Sequence, residues 1–322
     1  MNMSEEIEIR QNNIQKTIGS SYRRKIGDRV DGRRIKSLDP MTYVANFIMP
    51  TRAAAQNLFT DSVDIEKMNK FIHEKRKQGF TNFGAMHVLV GAYVRTISQK
   101  PGINRFINGY RIYARNNIEI SMAVKKSMEL NAPETMIKFI FEPDVTINEI
   151  YEQMTQKITE FQQTSEEASA FDKLVSVLGY IPRPLMICTV KFLKWLDYHG
   201  WIPRFLTLLS PFHGSLVITS MASLGINPIH HHLYNFGNVP VFIAFSATRH
   251  QKELTKNGEI VDKRFFDFTV TTDERICDGH YYACAVKDIT RRQGDPRPTS
   301  RPRSPLGRSA CSGSTHSEAG IP

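Results

Sequence analysis

From Asp273 to Gly279 the chain reads Asp-Glu-Arg-Ile-Cys-Asp-Gly, and this stretch is its most informative motif. It follows a run from Phe265 to Thr272 whose β-branched and aromatic residues favour a strand. A charged pair, two apolar residues and an Asp-Gly turn therefore lie just beyond the end of a predicted strand. A helix is predicted to follow, from Gly279 to about Ile289.

The rest of the chain predicts an alternation of helices and strands. An Asn257-Gly258 pair precedes the run at 265–272 and is typical of a β-hairpin turn. This mixed order indicates an α/β fold, layered α+β, in which helices cover one face of a mixed sheet. Strands are predicted at Tyr43–Met49, Tyr110–Tyr113, Ile118–Val124, Met136–Phe141, Ser215–Thr219 and Val239–Ser246, and helices at Asp64–Gly79, Phe83–Ser98 and Thr146–Gln163.

Residues 170–214, called the insertion below, interrupt this alternation. They are rich in Leu, Ile, Phe and Trp, and prolines stand at positions 182, 184, 203 and 211. We predict a helical hairpin that packs on the domain or on a partner subunit. The alternative is a contact with a membrane surface, which would need Trp195, Trp201 and Phe205 to face lipid.

Composition restricts the class of protein. The 322 residues are 41% hydrophobic, which suffices for one large domain or two small ones. The sequence contains no run of about 18 uncharged apolar residues, so it predicts no transmembrane helix. The polar N-terminus lacks the features of a secretory signal. The four cysteines show no Cys-x-x-Cys pair and no metal-ligand spacing, so we expect a cytoplasmic protein without a metal. The sequence contains neither a Walker loop nor a Gly-x-Gly-x-x-Gly motif, so it gives no support for nucleotide binding.

The net charge of +10 is concentrated at the two ends of the chain. Residues 1–36 carry nine Lys and Arg against five acidic residues, and residues 291–322 carry six Arg against two. The part between them, 37–290, is near neutral. We interpret 1–36 as a basic arm, 37–290 as one domain and the Arg-, Pro- and Ser-rich 291–322 as a disordered tail. Binding of nucleic acid or of an anionic surface would rest on these charges alone, so solvated ends are expected instead.

Four stretches of this chain, in order, resemble one known family. They are a helix that ends in Pro-x-x-Asn, an apolar strand, a strand with Thr-Ser before a Gly turn, and the Asp-Gly segment: Leu89–Asn104, Asn117–Val124, Leu216–Gly225 and Glu274–Gly279. The family is that of the 2-oxo acid dehydrogenase acyltransferases, or dihydrolipoamide acyltransferases, whose catalytic core shares the fold of chloramphenicol acetyltransferase. The resemblance spans about Ile35 to Ile289, interrupted by the insertion.

The resemblance implies a homotrimer with substrate channels at the subunit interfaces. In the family, a His of one subunit takes the proton of the acceptor, and a Ser or Thr hydroxyl of the neighbour stabilises the oxyanion. Carried onto this chain, the hydroxyl is that of Thr219, with Ser220 beside it. The implied reaction moves an acyl group from acyl-CoA, the co-substrate, to a small-molecule thiol, hydroxyl or amine.

Glu274 stands where the family's His-x-x-x-Asp-Gly pattern has its His. An imidazole titrates near about pH 6.5 and a free Glu near about 4.3, so a carboxylate is a weak base at neutral pH unless burial raises its pKa. We predict that Glu274 is the catalytic base, dehydrated in a closed interface channel. Asp278 and Gly279 match the end of the pattern. Asp278 is expected to be mainly structural, with Arg275 as its partner.

Two alternatives to an acyltransferase stay open. In one, the loss of the family's His leaves a catalytically inactive homologue that acts as a structural or regulatory oligomer. In the other, the same channel supports a different chemistry, because fold alone does not determine function.

Three other groups of residues are weighed against the acyltransferase site. His230–His232 predict a polar surface loop rather than a metal site, since no Cys, Asp or Glu lies at ligand spacing. His280 follows the Asp-Gly turn, at the start of a helix, and is a less favoured substitute for the missing imidazole. Cys277 is expected to be a small buried residue rather than a nucleophile.

Overall fold

The computed structural model describes residues 25–125, 134–163, 179–254 and 257–294. Its strands are β1 (Gly32–Arg34), β2 (Gln56–Asp64), β3 (Arg105–Asn108), β4 (Arg111–Arg115), β5 (Ile118–Lys125), β6 (Glu134–Phe141), β7 (Leu216–Ser220), β8 (Val241–Leu254) and β9 (Ile260–Asp273). Six of them form a mixed sheet in the order β2-β9-β8-β7-β5-β6. In it β7 is parallel to both β5 and β8, and the other neighbours are antiparallel. A smaller antiparallel sheet has the order β1-β4-β3.

Helices cover one face of the larger sheet, as the sequence predicts. The helices are α1 (Pro40–Ile48), α2 (Glu66–Lys77), α3 (Ala85–Gln99), α4 (Ile147–Gln163), α5 (Arg183–His199), α6 (Arg204–Leu209) and α7 (Gly279–Gly294). Four of them, α2, α3, α4 and α7, supply residues to the main core. The predicted α/β layered class is therefore confirmed, and so is the hairpin that joins β8 to β9. Within the described ranges, no helix combines the length and the apolarity needed to cross a bilayer.

The main core lies between this face of the sheet and the four helices. Ile120 and Ile218 project from the sheet, and Tyr93, Met154 and Tyr282 project from α3, α4 and α7. All five side chains are buried. Burial of apolar area on this scale, at roughly 25 cal/mol per Å², is the main favourable term in folding.

The opposite face of the sheet is covered in part by residues 221–240. There Val217 and Phe242 pack against Leu233 and Val239 of that segment. Successive side chains of a strand point to opposite faces. Because Ile218 belongs to the helix-covered core, Thr219 shares the second face with Val217.

The prediction of a strand at Tyr43–Met49 is wrong, because these residues belong to α1. The carboxylate of Asp39 accepts the backbone N–H of Thr42 at 2.9 Å and caps the helix. Pro40 occupies its first turn, where a fixed φ and a missing N–H suit a helix start. These two local features outweigh the β propensity of the aromatic and β-branched residues that follow.

Part of the predicted basic arm is packed into the domain. Arg29 and Asp31 are buried, at 3% and 1% exposure, whereas residues 1–24 lie outside the described residues. At the other end, α7 continues to Gly294, and residues 295–322 lie outside the described residues. The insertion contributes α5 and α6 as the two predicted helices, and its residues 170–178 are likewise outside the description.

His87, near the start of α3, makes folding sensitive to acid. Its Nδ1 accepts the N–H of Gly84 at 3.1 Å, and burial lowers its pKa to about 4. Between about pH 4 and 6.5 the unfolded chain therefore binds a proton that the folded chain rejects, so stability rises with pH across this window. We expect the free energy of unfolding to fall by about 2 kcal/mol between about pH 7 and pH 5 from this group.

The measurement is urea unfolding of wild type and His87→Gln at both pH values. The variant should lose most of this difference, whereas His73→Gln, at an exposed position of α2, should keep it. Equal pH dependence of wild type and His87→Gln would contradict the assignment.

Candidate functional site

The turn between β9 and α7 is held by Asp273 and Arg275. Arg275 donates from Nε to Oδ1 of Asp273 at 2.8 Å and from Nη2 to Oδ2 at 2.7 Å. Its Nη1 donates to the carbonyl of Met49, at the end of α1, at 2.8 Å. Both charged side chains are buried, and a bidentate pair of this kind fixes geometry strongly. The pair thus fixes the short helical turn Glu274–Ile276, on which Glu274 is exposed.

Arg275 is therefore not the partner of Asp278, contrary to the expectation from sequence. The turn carries Arg275 back over the end of β9, where Asp273 lies. Asp278 lies beyond the turn and accepts the N–H of Tyr281 at 2.8 Å, so it caps α7. A Cβ added at Gly279 would meet no atom within 4 Å, so packing inside this chain does not require a glycine there.

Thr219 and Ser220 end β7 but differ in their surroundings. Thr219 is 7% exposed and lies on the second face of the sheet. Among the described residues its hydroxyl has no hydrogen-bond partner. The Oγ of Ser220 accepts the N–H of Ala222 at 3.3 Å. Of the two predicted hydroxyls, that of Thr219 is thus the one available to a ligand.

Glu274 and Thr219 do not meet within one chain. The register places Thr219 beside Ala244 of β8, and Ala244 beside Thr269 of β9. Glu274 lies five residues beyond Thr269. At about 3.3 Å per residue and about 4.8 Å per strand, the two are roughly 19 Å apart.

Exposed apolar side chains border both positions. At one end, α1 packs against the turn that carries Glu274 and exposes Phe47 and Ile48, at 51% and 70%. At the other end, Leu224 and Ile226 follow β7 and are 59% and 46% exposed. Clusters of exposed large apolar residues on a soluble protein commonly mark interaction surfaces.

The structure also places the other residues that were singled out from sequence. Cys277 is buried, and burial raises the pKa of its thiol to about 12, so it stays protonated at neutral pH. His280 is exposed, with Nε2 3.6 Å from Sγ of Cys284. His230 contacts Thr60, and His231 stacks on Phe242 at 4.3 Å in the segment that covers the second face. In the described ranges, no group of three or more His, Cys, Asp or Glu is placed to hold a metal.

A buried ionic cluster, not anticipated from the sequence, ties the arm to the insertion. Arg29 donates from Nε to Asp31 at 2.9 Å and from Nη2 to Oδ1 of Asp197 at 2.7 Å. Asn108 donates to Oδ2 of Asp197 at 2.6 Å, and Nε2 of His213 lies 3.6 Å from its Oδ1. Burial opposes the charge on Asp197, but His213 and Arg29 outweigh it and hold its pKa well below the usual range.

Lys138, on β6, fastens the end of the insertion to the sheet. Its Nζ donates to the carbonyls of Thr207 and Ser210 at 2.6 Å each and of His213 at 2.5 Å. Its carboxylate neighbour is Glu119 at 3.9 Å, which also accepts from Arg204 of α6 at 2.6 Å. Three carbonyl oxygens around one nitrogen suit an ammonium group, which has three donors and no acceptor.

Comparisons with known proteins agree with this architecture. No protein-family model and no curated sequence matches the chain. Solved structures do match, and three of them are a probable dihydrolipoamide acetyltransferase from Listeria monocytogenes 4b F2365, the dihydrolipoamide acetyltransferase (E2p) of Azotobacter vinelandii, and the cubic core of the pyruvate dehydrogenase multienzyme complex. The identities are 12%, 10% and 10%, and the TM-scores are 0.50, 0.52 and 0.51.

The matched regions span most of each molecule. They cover 84% of this chain and 98% of the Listeria structure, and 82% of this chain and 93% of each of the other two. The Azotobacter enzyme has been studied for the roles of one serine, one histidine and one asparagine in its catalytic mechanism. The fold is that of the dihydrolipoamide acetyltransferase catalytic cores.

Proposed function

We propose that this protein transfers an acyl group from an acyl-CoA thioester to a small thiol, hydroxyl or amine, at a site shared by two copies of the chain. The observation that carries the proposal is the placement of Glu274 and Thr219. They lie at two separated positions on the sheet, and each borders exposed apolar side chains. Free cysteines among the described residues and an acyl-CoA co-substrate fit a cytoplasmic reaction.

Docking the Glu274 end of one copy on the Thr219 end of another brings the two groups together. Such a contact joins two different surfaces, so repeating it generates a closed ring when the rotation fits. A homotrimer is the ring that we propose. The apolar residues Phe47 and Ile48 of one copy would then cover Glu274 from water. Burial favours the neutral form of a carboxyl group and makes its anion a stronger base.

The proposed step is balanced within this site. The carboxylate of Glu274 takes the proton of the acceptor as the acceptor atom attacks the thioester carbonyl. The hydroxyl of Thr219 donates to the oxyanion that forms. When the intermediate collapses, the carbon–sulfur bond breaks, and Glu274 returns the proton to the sulfur of coenzyme A.

Thr219→Val is expected to lower kcat for acyl transfer about 100-fold, because it removes one oxyanion donor and leaves the shape of the side chain nearly unchanged. Ser220→Ala should change kcat by less than about threefold, since the Oγ of Ser220 accepts a backbone N–H of its own turn. Release of the coenzyme A thiol from acetyl-CoA, in the presence of a panel of acceptors, measures both rates. The reverse ranking of the two variants would overturn the role of Thr219.

Mixing two strongly impaired variants tests whether the site is shared. Glu274→Gln and Thr219→Val chains, unfolded together and refolded at equal concentrations, should regain about a quarter of the wild-type rate, because about that share of interfaces pairs two intact residues. Each variant refolded alone is the control and should stay at about one hundredth of the wild-type rate or below. Failure of the mixture to exceed its two components would rule out a site built from two chains.

The second candidate is an inactive structural or regulatory oligomer. It is favoured by one observation: the Asp273–Arg275 pair and the Asp278 cap organise the turn without any contribution from Glu274. This candidate predicts no coenzyme A release with any acceptor, together with an intact oligomer by light scattering.

A further inference from the structure

A cleft of about 230 Å³ opens where the insertion meets the domain. Helix α5 lines it with Lys194 and Asp197, the turn between β3 and β4 with Asn108, and the segment between α1 and β2 with Arg52. Arg275 also lines it. The volume is several times the roughly 30 Å³ that one water molecule occupies in the liquid, so a small molecule fits.

Arg52 is a buried cation without an ion-pair partner in the part of the chain that the structure describes. It is 8% exposed, and it donates to the carbonyl of Tyr234 at 3.0 Å and to that of Ile107 at 3.1 Å. Its Nε is buried with no acceptor. Burial lowers its pKa to about 10, so the guanidinium is still charged at neutral pH. Removing this charge from water costs free energy that two neutral carbonyls offset only in part.

Asp197, the acidic residue that lines the cleft, already accepts hydrogen bonds through both of its carboxylate oxygens. Asp197 accepts from Arg29 through Oδ1 and from Asn108 through Oδ2, and His213 lies beside it. Its charge is therefore neutralised by Arg29 from behind the cleft wall. It neither pairs with Arg52 nor repels an incoming anion strongly.

The cleft keeps an excess of positive charge once these pairs are counted. Arg275 is neutralised by Asp273, with which it forms two hydrogen bonds. Arg52, which is buried, and Lys194, which is exposed on α5, remain as cations without a carboxylate in contact among the described residues. Two positive groups on one small cleft attract an anion that reaches both.

We infer that this cleft binds a small molecule that carries a carboxylate or phosphate group, with the anion held between Arg52 and Lys194. The N–H groups of Arg52 that its two carbonyl bonds leave unused suit a planar or tetrahedral oxyanion. Asn108 and Asn235, which also line the cleft, supply amide groups for the polar remainder of the ligand. The residues that would hold the anion, Arg52 and Lys194, are distinct from Glu274 and Thr219.

Titration calorimetry of the full chain, without coenzyme A, tests the site. The ligands are inorganic phosphate, succinate, the uncharged succinamide and the dication putrescine. We expect saturable binding of phosphate or succinate, and the stronger of the two identifies the preferred group. Succinamide and putrescine should give no binding. The inference would be overturned if neither anion bound at concentrations up to about 10 mM. This limit corresponds to a binding free energy of about −2.7 kcal/mol.

Two charge reversals on α5 provide a test variant and its matched control. Lys194→Glu should weaken anion binding about tenfold or more, because it replaces an attraction by a repulsion. Lys191→Glu, also exposed on α5 but outside the cleft, should leave the affinity unchanged. Arg52→Met should abolish binding; if this variant does not fold, the two lysine variants decide. Equal affinities of the Lys194→Glu and Lys191→Glu variants would show that the anion binds elsewhere.

Discussion

Glu274→Gln is expected to lower the rate of acetyl transfer from acetyl-CoA about 1000-fold, the effect of removing a positioned general base. Glutamine keeps the size and polarity of the side chain but takes no proton. Because Glu274 is exposed in the single chain and forms no part of the Asp273–Arg275 pair, folding should be unaffected. The measurement is the release of the coenzyme A thiol with a panel of thiols, alcohols and amines.

Glu74→Gln, at an exposed position of α2, is the control and should retain the wild-type rate. A Glu274→Gln protein as active as wild type would rule out Glu274 as the base. The Glu274→His variant distinguishes an active acyltransferase from an inactive homologue. If wild type is inactive with every acceptor and the histidine variant gains activity, the chain is the inactive homologue and the turn has kept only its shape.

Lys138→Met is expected to lower the free energy of unfolding by about 3 to 5 kcal/mol. The substitution leaves three carbonyls of the segment 207–213 without their donor and takes away the lysine nitrogen beside buried Glu119. Urea unfolding followed by circular dichroism measures the change. We also expect faster proteolysis within the insertion, since its end is held to the sheet by this ammonium group.

Lys70→Met provides the control for loss of a lysine. Lys70 pairs with Glu66 four residues earlier on the exposed side of α2, so its loss should cost no more than about 0.5 kcal/mol. A Lys138→Met protein as stable as the Lys70→Met protein would show that the three carbonyls find water instead.

Regular periodicity made most of the layered core predictable from sequence. The helix predicted at 64–79 and the one predicted at 83–98 are α2 and α3, because their apolar residues repeat at helical spacing and one face packs on the sheet. The Asn257-Gly258 turn predicted the pairing of β8 with β9, the longest hairpin of the sheet.

The sequence did not predict elements that depend on a single capping residue or on a neighbouring strand. The strand β2 has the sequence Gln-Asn-Leu-Phe-Thr-Asp-Ser-Val-Asp, in which polar residues of low β propensity outnumber the apolar ones. It is an edge strand whose nine residues all pair with β9, so its structure comes from the partner strand. Conversely, α1 depends on its cap at Asp39, one residue that a search for periodicity does not weigh.

The candidate site, too, could be predicted from the sequence only in part. Its residues were found because the Asp-Gly segment and the Thr-Ser strand are continuous in sequence. The partner of Arg275 was missed because a tight turn, not spacing, brings Asp273 to it. The cleft around Arg52 was missed altogether, since it is lined by residues from several distant segments and no short motif marks such a site.

The bond between Arg29 and Asp197 has a consequence for the order of folding. The two residues are 168 positions apart, so their contact closes a long loop of the chain. We expect this contact to form late and to slow folding, because closing a long loop costs entropy before the contact stabilises the fold. A ribosome must therefore complete more than half of the chain before Arg29 can form this contact.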